Sequence, residues 1–236
     1  GRAARGPSCF HALPCAGLCA DQSVLPPDNV FAYRPGQPEL TYGALFDGAE
    51  RTAKALAANG LQPGDRVAVQ VDKSIEAIQL YIGTVMAGGI FLPLNTAYTA
   101  AEVSYFLGDA TPRIGVCDPD REAGIAPLSQ ARCFTLAGDG TGTLTDALPA
   151  DAGFDAIPRA EDDLAAILYT SGTTGRSKGA MLSHANLAPN PDMLRDYSRP
   201  TRDDVPTHSP PIPHTHGPVV ATTALLLPCP PPVLPP

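Results

Sequence analysis

Apolar residues at Leu45, Ala49, Ala53 and Leu56 return every three or four positions, the spacing that lines one face of a helix. Thr41 is placed to cap that helix, and Asn59-Gly60 supplies the left-handed residue that closes it. A turn at Pro63-Gly64-Asp65 then leads into residues 66–71, where Val67, Val69 and Val71 alternate as in a strand. Ser74 opens a second helix through Ile75, Ile78, Ile82 and Val85, which ends at Ala87-Gly88-Gly89 and is followed by a buried strand, Ile90-Phe91-Leu92. Thr99 and Glu102 form the Thr-x-x-Glu capping box of a third helix carrying Val103, Phe106 and Leu107 and running to about Gly108. The next strand falls on residues 113–117. Strands and helices alternating at this interval predict right-handed crossovers and an α/β fold, a mostly parallel sheet with helices on both faces.

The pattern weakens beyond this point. Residues 118–162 are rich in Gly, Ala, Thr and Asp and read as a variable surface stretch with at most short strands around residues 133–136. Residues 164–169 form an apolar strand, and Ser183 can cap a helix that begins His184-Ala185-Asn186-Leu187. Pro189 and Pro191 fall in its early turns, where an interior proline costs about 3 kcal/mol. After Val205 the chain is crowded with proline and has no Asp, Glu, Lys or Arg, so it does not read as an ordinary helix or strand.

Composition narrows the classes. With 236 residues, 44% of them hydrophobic, the chain can bury a real core. A net charge of -8 with scattered basic residues gives no footprint for nucleic acid, and no apolar run approaches the ~20 residues of a membrane span. The expectation is a soluble, cytoplasmic protein, with the mitochondrial matrix as the eukaryotic alternative. Residues 1–20 contain Arg2 and Arg5 and no acid, a weak echo of a transit peptide. The six cysteines, at 9, 15, 19, 117, 133 and 229, lack paired spacing and read as reduced thiols.

The chemistry concentrates after the 164–169 strand, in Thr170-Ser171-Gly172-Thr173-Thr174-Gly175-Arg176-Ser177-Lys178-Gly179. Glycines let backbone amides turn toward an anion, hydroxyls add donors, and Lys178, one of three lysines, brings a point charge for phosphoryl oxygens. A P-loop is excluded, because Ser177 stands at its second glycine position. The dinucleotide fingerprint also fails: Gly138-Asp139-Gly140 is followed by Thr143 where the last glycine belongs.

This run resembles the phosphate loop of the adenylate-forming enzymes, the superfamily of acyl-CoA synthetases, luciferases and peptide-synthetase adenylation domains. Within it the chain is similar to the malonyl-CoA synthetases over roughly residues 28–223. That likeness is carried by Gly64-Asp65-Arg66-Val67-Ala68-Val69-Gln70, Lys73-Ser74-Ile75-Glu76-Ala77, the segment 87–99, the segment 162–187 and Pro211-Ile212-Pro213-His214-Thr215-His216-Gly217. It implies three regions: an unassigned stretch at 1–27, the N-terminal part of an AMP-binding domain at 28–205, and a proline-rich tail at 206–236 that partly matches the next family motif.

The resemblance further implies an ATP-dependent acid–CoA ligase acting on malonate or methylmalonate, with ATP and coenzyme A as substrates and Mg²⁺ as cofactor. Thr170, Ser171, Gly172, Thr173, Thr174, Gly175 and Lys178 would bind the β- and γ-phosphates; His214, Thr215 and His216 would border the acid; Lys178 and His214 are the catalytic candidates. Family members are much longer than this chain. The Mg²⁺ glutamate, the ribose aspartate and the C-terminal catalytic lysine therefore have no counterpart here, and the chain alone is expected to be inactive. Pro210, Pro213 and Pro218 also stand where the family pattern has leucine, an aromatic and leucine. Alternatives are another acyl- or aryl-CoA synthetase, or a nucleotide-binding module without turnover. A metal site from His208, His214, His216 and Cys229 matches no recognised zinc spacing.

Overall fold

The computed structural model describes residues 27–32, 38–128, 130–170 and 177–187. Two short strands, β1 (Val30–Ala32) and β2 (Leu40–Thr41), pair antiparallel ahead of α1 (Tyr42–Ala58). Then follow β3 (Arg66–Gln70), α2 (Ile75–Met86), β4 (Ile90–Pro93), α3 (Ala100–Ala110), β5 (Ile114–Cys117), α4 (Glu122–Ile125), β6 (Arg132–Thr135), α5 (Thr143–Asp146), β7 (Leu164–Thr170), β8 (Lys178–Ser183) and α6 (His184–Leu187). The main sheet has the order β6-β5-β3-β4-β7-β8; every neighbouring pair is parallel except β7 with β8.

The expected caps are present. Thr41 accepts the Ala44 N–H, Ser74 accepts the Ala77 N–H, and Thr99 and Glu102 close a full capping box. Each satisfies an amide that the helix itself leaves unpaired. The Thr99 amide and hydroxyl hold the Glu102 carboxyl below its usual range.

Alternation along β3 divides the core. Val67 and Val69 join the cluster formed with α1 and α2, together with Leu45, Leu56, Ile82 and Phe91, while Ala68 packs on the other face with Leu92, Val103, Phe106 and Leu107 of the α3 side. Both faces are buried, as a parallel sheet requires. Helices α1 and α2 approach so closely that a Cβ at Gly83 would stand 2.7 Å from the Ala49 carbonyl oxygen and 2.9 Å from Thr52 Cβ.

Two differences from the sequence expectation have clear causes. Helix α3 continues past Gly108 to Ala110, because Arg66 reaches across from β3 and donates to the carbonyls of Ala110 (2.7 Å) and Thr111 (3.0 Å), groups that water would otherwise have to satisfy. Thr111, in the left-handed region at φ 41°, ends the helix one residue before Pro112.

The 118–162 stretch contributes more than surface. Phe134, Leu136, Leu144 and Ala156 belong to the core. Residues 147–163 are fastened along α1 and α2 by Lys54–Asp151 (2.6 Å), Gly153 N–H to the Glu50 carboxylate (2.6 Å) and Ile157 N–H to the Met86 carbonyl (2.8 Å). Among the described residues no helix is long and apolar enough to cross a membrane.

His184, at the start of α6, is buried, and its amide donates to the Asp163 carbonyl. Burial first, then the Arg159 guanidinium, push its imidazole below the ordinary value of 6.5, with Asp163 opposing. The folded protein therefore binds fewer protons here than the unfolded chain. Stability from this group is complete above about pH 6.5 and is lost as pH falls through that value toward the depressed folded one. Urea midpoints measured from pH 7.5 to 5.5 should fall for the parent and fall less for His184→Gln; equal slopes would remove His184 as the cause.

Candidate functional site

Strands β7 and β8 pair antiparallel as the two arms of a hairpin, and the glycine- and hydroxyl-rich run is the stretch of sequence between them. Thr170, the last residue of β7, lies directly opposite Lys178, the first of β8. Antiparallel pairing holds their backbones about 5 Å apart, so the ladder pins both ends of the 171–177 connection. Ser171, Gly172, Thr173, Thr174 and Gly175 lie outside the described residues, as do His214, Thr215 and His216. The hairpin thus brings together two of the expected site residues, Thr170 and Lys178.

Lys178 is exposed at the hairpin end. The ion pairs among the described residues, Lys54–Asp151 and Arg159–Asp163, do not involve it. Its ammonium is a solvated point charge with three donors, suited to phosphoryl oxygens.

The arms rest on an aromatic layer that local sequence patterns do not reveal. Phe106 of α3 is buried, with its ring centroid 4.3 Å from that of Tyr169 and 5.0 Å from that of Tyr98; Tyr105 stacks edge-on at 5.5 Å. Hydroxyls from this layer hold the hairpin backbone: Tyr105 donates to the Ser177 carbonyl at 3.3 Å and Tyr98 to the Tyr169 carbonyl at 3.5 Å. Tyr169 itself donates to Asp109 at 2.5 Å. Burial, reinforced by that carboxylate, raises the Tyr169 hydroxyl well above the usual phenol range, and burial also raises Tyr98. These phenols remain protonated donors at physiological pH.

The close pairing also fixes what can follow Lys178. A Cβ at Gly179 would stand 3.0 Å from Ile167 Cγ2 and 3.4 Å from the Tyr169 ring, tighter than an ordinary contact. Tyr105 and Asp109, four apart on α3, share the helix face that meets this hairpin.

The chain matches the family profile described as AMP-binding enzyme over residues 20–228. It belongs to the AMP-binding enzyme family. A feruloyl-CoA synthase from an Amycolatopsis species is 34% identical to this AMP-binding chain over 159 residues, covering 67% of the chain and 31% of the relative. An oxalate–CoA ligase from Arabidopsis thaliana is 30% identical over 214 residues, covering 86% of the chain and 41% of the relative. Among solved structures, ATP-bound MatB from Rhodopseudomonas palustris superposes with a TM-score of 0.82 at 50% identity, covering 89% of this chain and 42% of that one. The chain therefore spans about a third to under half of the length of these relatives. The α/β fold and the family likeness expected from the motifs are both found.

Proposed function

We propose that this AMP-binding chain serves an ATP-dependent acid–CoA ligase whose acid is malonate or methylmalonate. The observation that carries the reading is the hairpin register, with Thr170 opposite Lys178 at the two ends of a loop built for an anion. The malonate choice draws support from the motifs that the chain shares with the malonyl-CoA synthetases, and ATP as the nucleotide from 50% identity to ATP-bound MatB. Relatives with feruloyl, oxalate and sulfoacetate in their names make the acid the variable part of the reading.

The reaction has two steps. A carboxylate oxygen attacks the α-phosphorus of ATP and pyrophosphate leaves, forming an acyl adenylate; the sulfur of coenzyme A then attacks the acyl carbon and AMP leaves. In the first step an anion approaches a polyanion while charge grows on the leaving pyrophosphate. Donors held in place at such a loop would lower the barrier by already facing that charge as it develops. In this reading Thr170, Ser171, Gly172, Thr173, Thr174, Gly175 and Lys178 hold the β- and γ-phosphates, and His214, Thr215 and His216 border the acid. Among the described residues no three His, Cys, Asp or Glu side chains come together to hold Mg²⁺.

Calorimetry of the chain with ATP and Mg²⁺, followed by ATP–pyrophosphate exchange with a panel of acids on a full-length protein that contains it, tests the reading. Malonate-dependent exchange supports it. Exchange with an aryl or fatty acid but not malonate replaces the substrate, and ATP binding without exchange under any acid reduces the chain to a nucleotide-binding module.

A further inference from the structure

Cys117 and Cys133, sixteen positions apart and without a local motif, meet on the α3 side of the sheet with their sulfurs 3.7 Å apart. Cys117 ends β5, and Cys133 lies on β6, the strand at that end of the sheet. Both line a small cavity of about 20 Å³, walled by Ala68, Leu94, Val103 and Ile125. Cys117 is buried, whereas Cys133 is half-buried, so a reagent arriving from solvent meets Cys133 first. The thiol contact splits the pair: sharing the Cys117 proton holds Cys133 below the ordinary thiol value and, with burial, drives Cys117 above it. Cys133 is the readier thiolate.

The register decides what the pair can do. Gly115 lies opposite Cys133, and Cys117 opposite Thr135, so the cysteines are diagonal neighbours two residues out of step. One strand spacing of about 4.8 Å and two residue rises of about 3.3 Å put their Cα atoms roughly 8 Å apart, beyond the span of about 4.4–6.8 Å that a disulfide bridges without backbone movement. A trivalent arsenic bonded to two sulfurs at about 2.3 Å, with a pyramidal S–As–S angle of about 100°, sets them roughly 3.5 Å apart, a few tenths of an ångström inside the 3.7 Å found. This spacing suits one soft atom held between two sulfurs.

We propose that Cys117 and Cys133 form a two-thiolate clamp for a thiophilic centre that needs only two protein ligands, the class represented by monosubstituted trivalent arsenicals. Among the described residues no third His, Cys, Asp or Glu completes a metal cluster, so an ion requiring four protein donors is not served. An arsenical brings its own carbon substituent. The step balances without redox chemistry: the arsenic–oxygen bonding is replaced by two arsenic–sulfur bonds, both thiol protons leave with the oxygen as water, and arsenic stays trivalent.

The test uses phenylarsine oxide on the full chain with Cys9, Cys15, Cys19 and Cys229 changed to serine, read by intact mass and thiol titration. The clamp gives one phenylarsenic adduct per chain, simultaneous loss of two titratable thiols, and reversal by 2,3-dimercaptopropanol. Cys133→Ser and Cys117→Ala, each with a thermal transition like the parent, should bind at least tenfold more weakly. Absence of the adduct in the folded parent, or its retention at parental affinity in either folded variant, overturns the proposal.

Discussion

Replacing Lys178 by methionine is expected to lower acid-dependent ATP–pyrophosphate exchange of the intact enzyme by roughly 10²–10³-fold, the usual cost of removing one oriented donor from a site of developing negative charge. Lys178 is exposed at the hairpin end, so the thermal transition should remain within about 0.5 kcal/mol of the parent. That separation between activity and stability is the informative part. Lys178→Arg should recover part of the rate, because the charge is kept while the compact ammonium is exchanged for a planar fork. A Lys178→Met protein that binds ATP and exchanges pyrophosphate at the parental rate would remove the residue from the site.

The second large effect is structural. Phe106→Ala should cost about 3–5 kcal/mol, the range for emptying a buried aromatic position. Phe106 is 1% exposed and touches Tyr98, Tyr105 and Tyr169 at once, so truncation opens a hole beneath both arms of the hairpin. Leucine at the same position keeps most of the volume and should cost less than about 1.5 kcal/mol. Urea denaturation of the two variants checks this, and ATP affinity by calorimetry should fall in the same order. A loss below 1 kcal/mol for alanine would mean that the aromatic layer is not what holds the hairpin.

Helices α1, α2 and α3 were legible because each announces itself twice, by apolar spacing and by a hydroxyl cap: Thr41, Ser74 and Thr99. The end of α3 was not, since Arg66 fixes it from a different strand. Residues 147–163 were opaque for a related reason. They are held in part through backbone groups, such as the Ile157 amide on the Met86 carbonyl, and a main-chain bond leaves no trace in residue type.

At the site, the anion-binding composition of the loop and the strand before it were readable. The antiparallel return of residues 178–183 was not readable, and its support by Tyr98 and Tyr105 joins positions 71 and 72 residues apart. Cys117 and Cys133 show the same limit. No spacing rule connects residues on adjacent parallel strands until their register is known.

The order of strands has a temporal side. β3, β4, β5 and β6 are near one another in sequence as well as in the sheet, whereas β7 reaches its neighbour β4 only after α3, β5 and β6 have been traversed. Early contacts are those with short loops to close, so the hairpin is expected to dock last onto a preassembled platform. A nucleotide that recognises only the docked arrangement would then draw that final equilibrium toward completion. Hydrogen exchange should register this as selective slowing in β7 and β8, with β3 to β5 almost unchanged; uniform slowing across the sheet would contradict a late-docking arm.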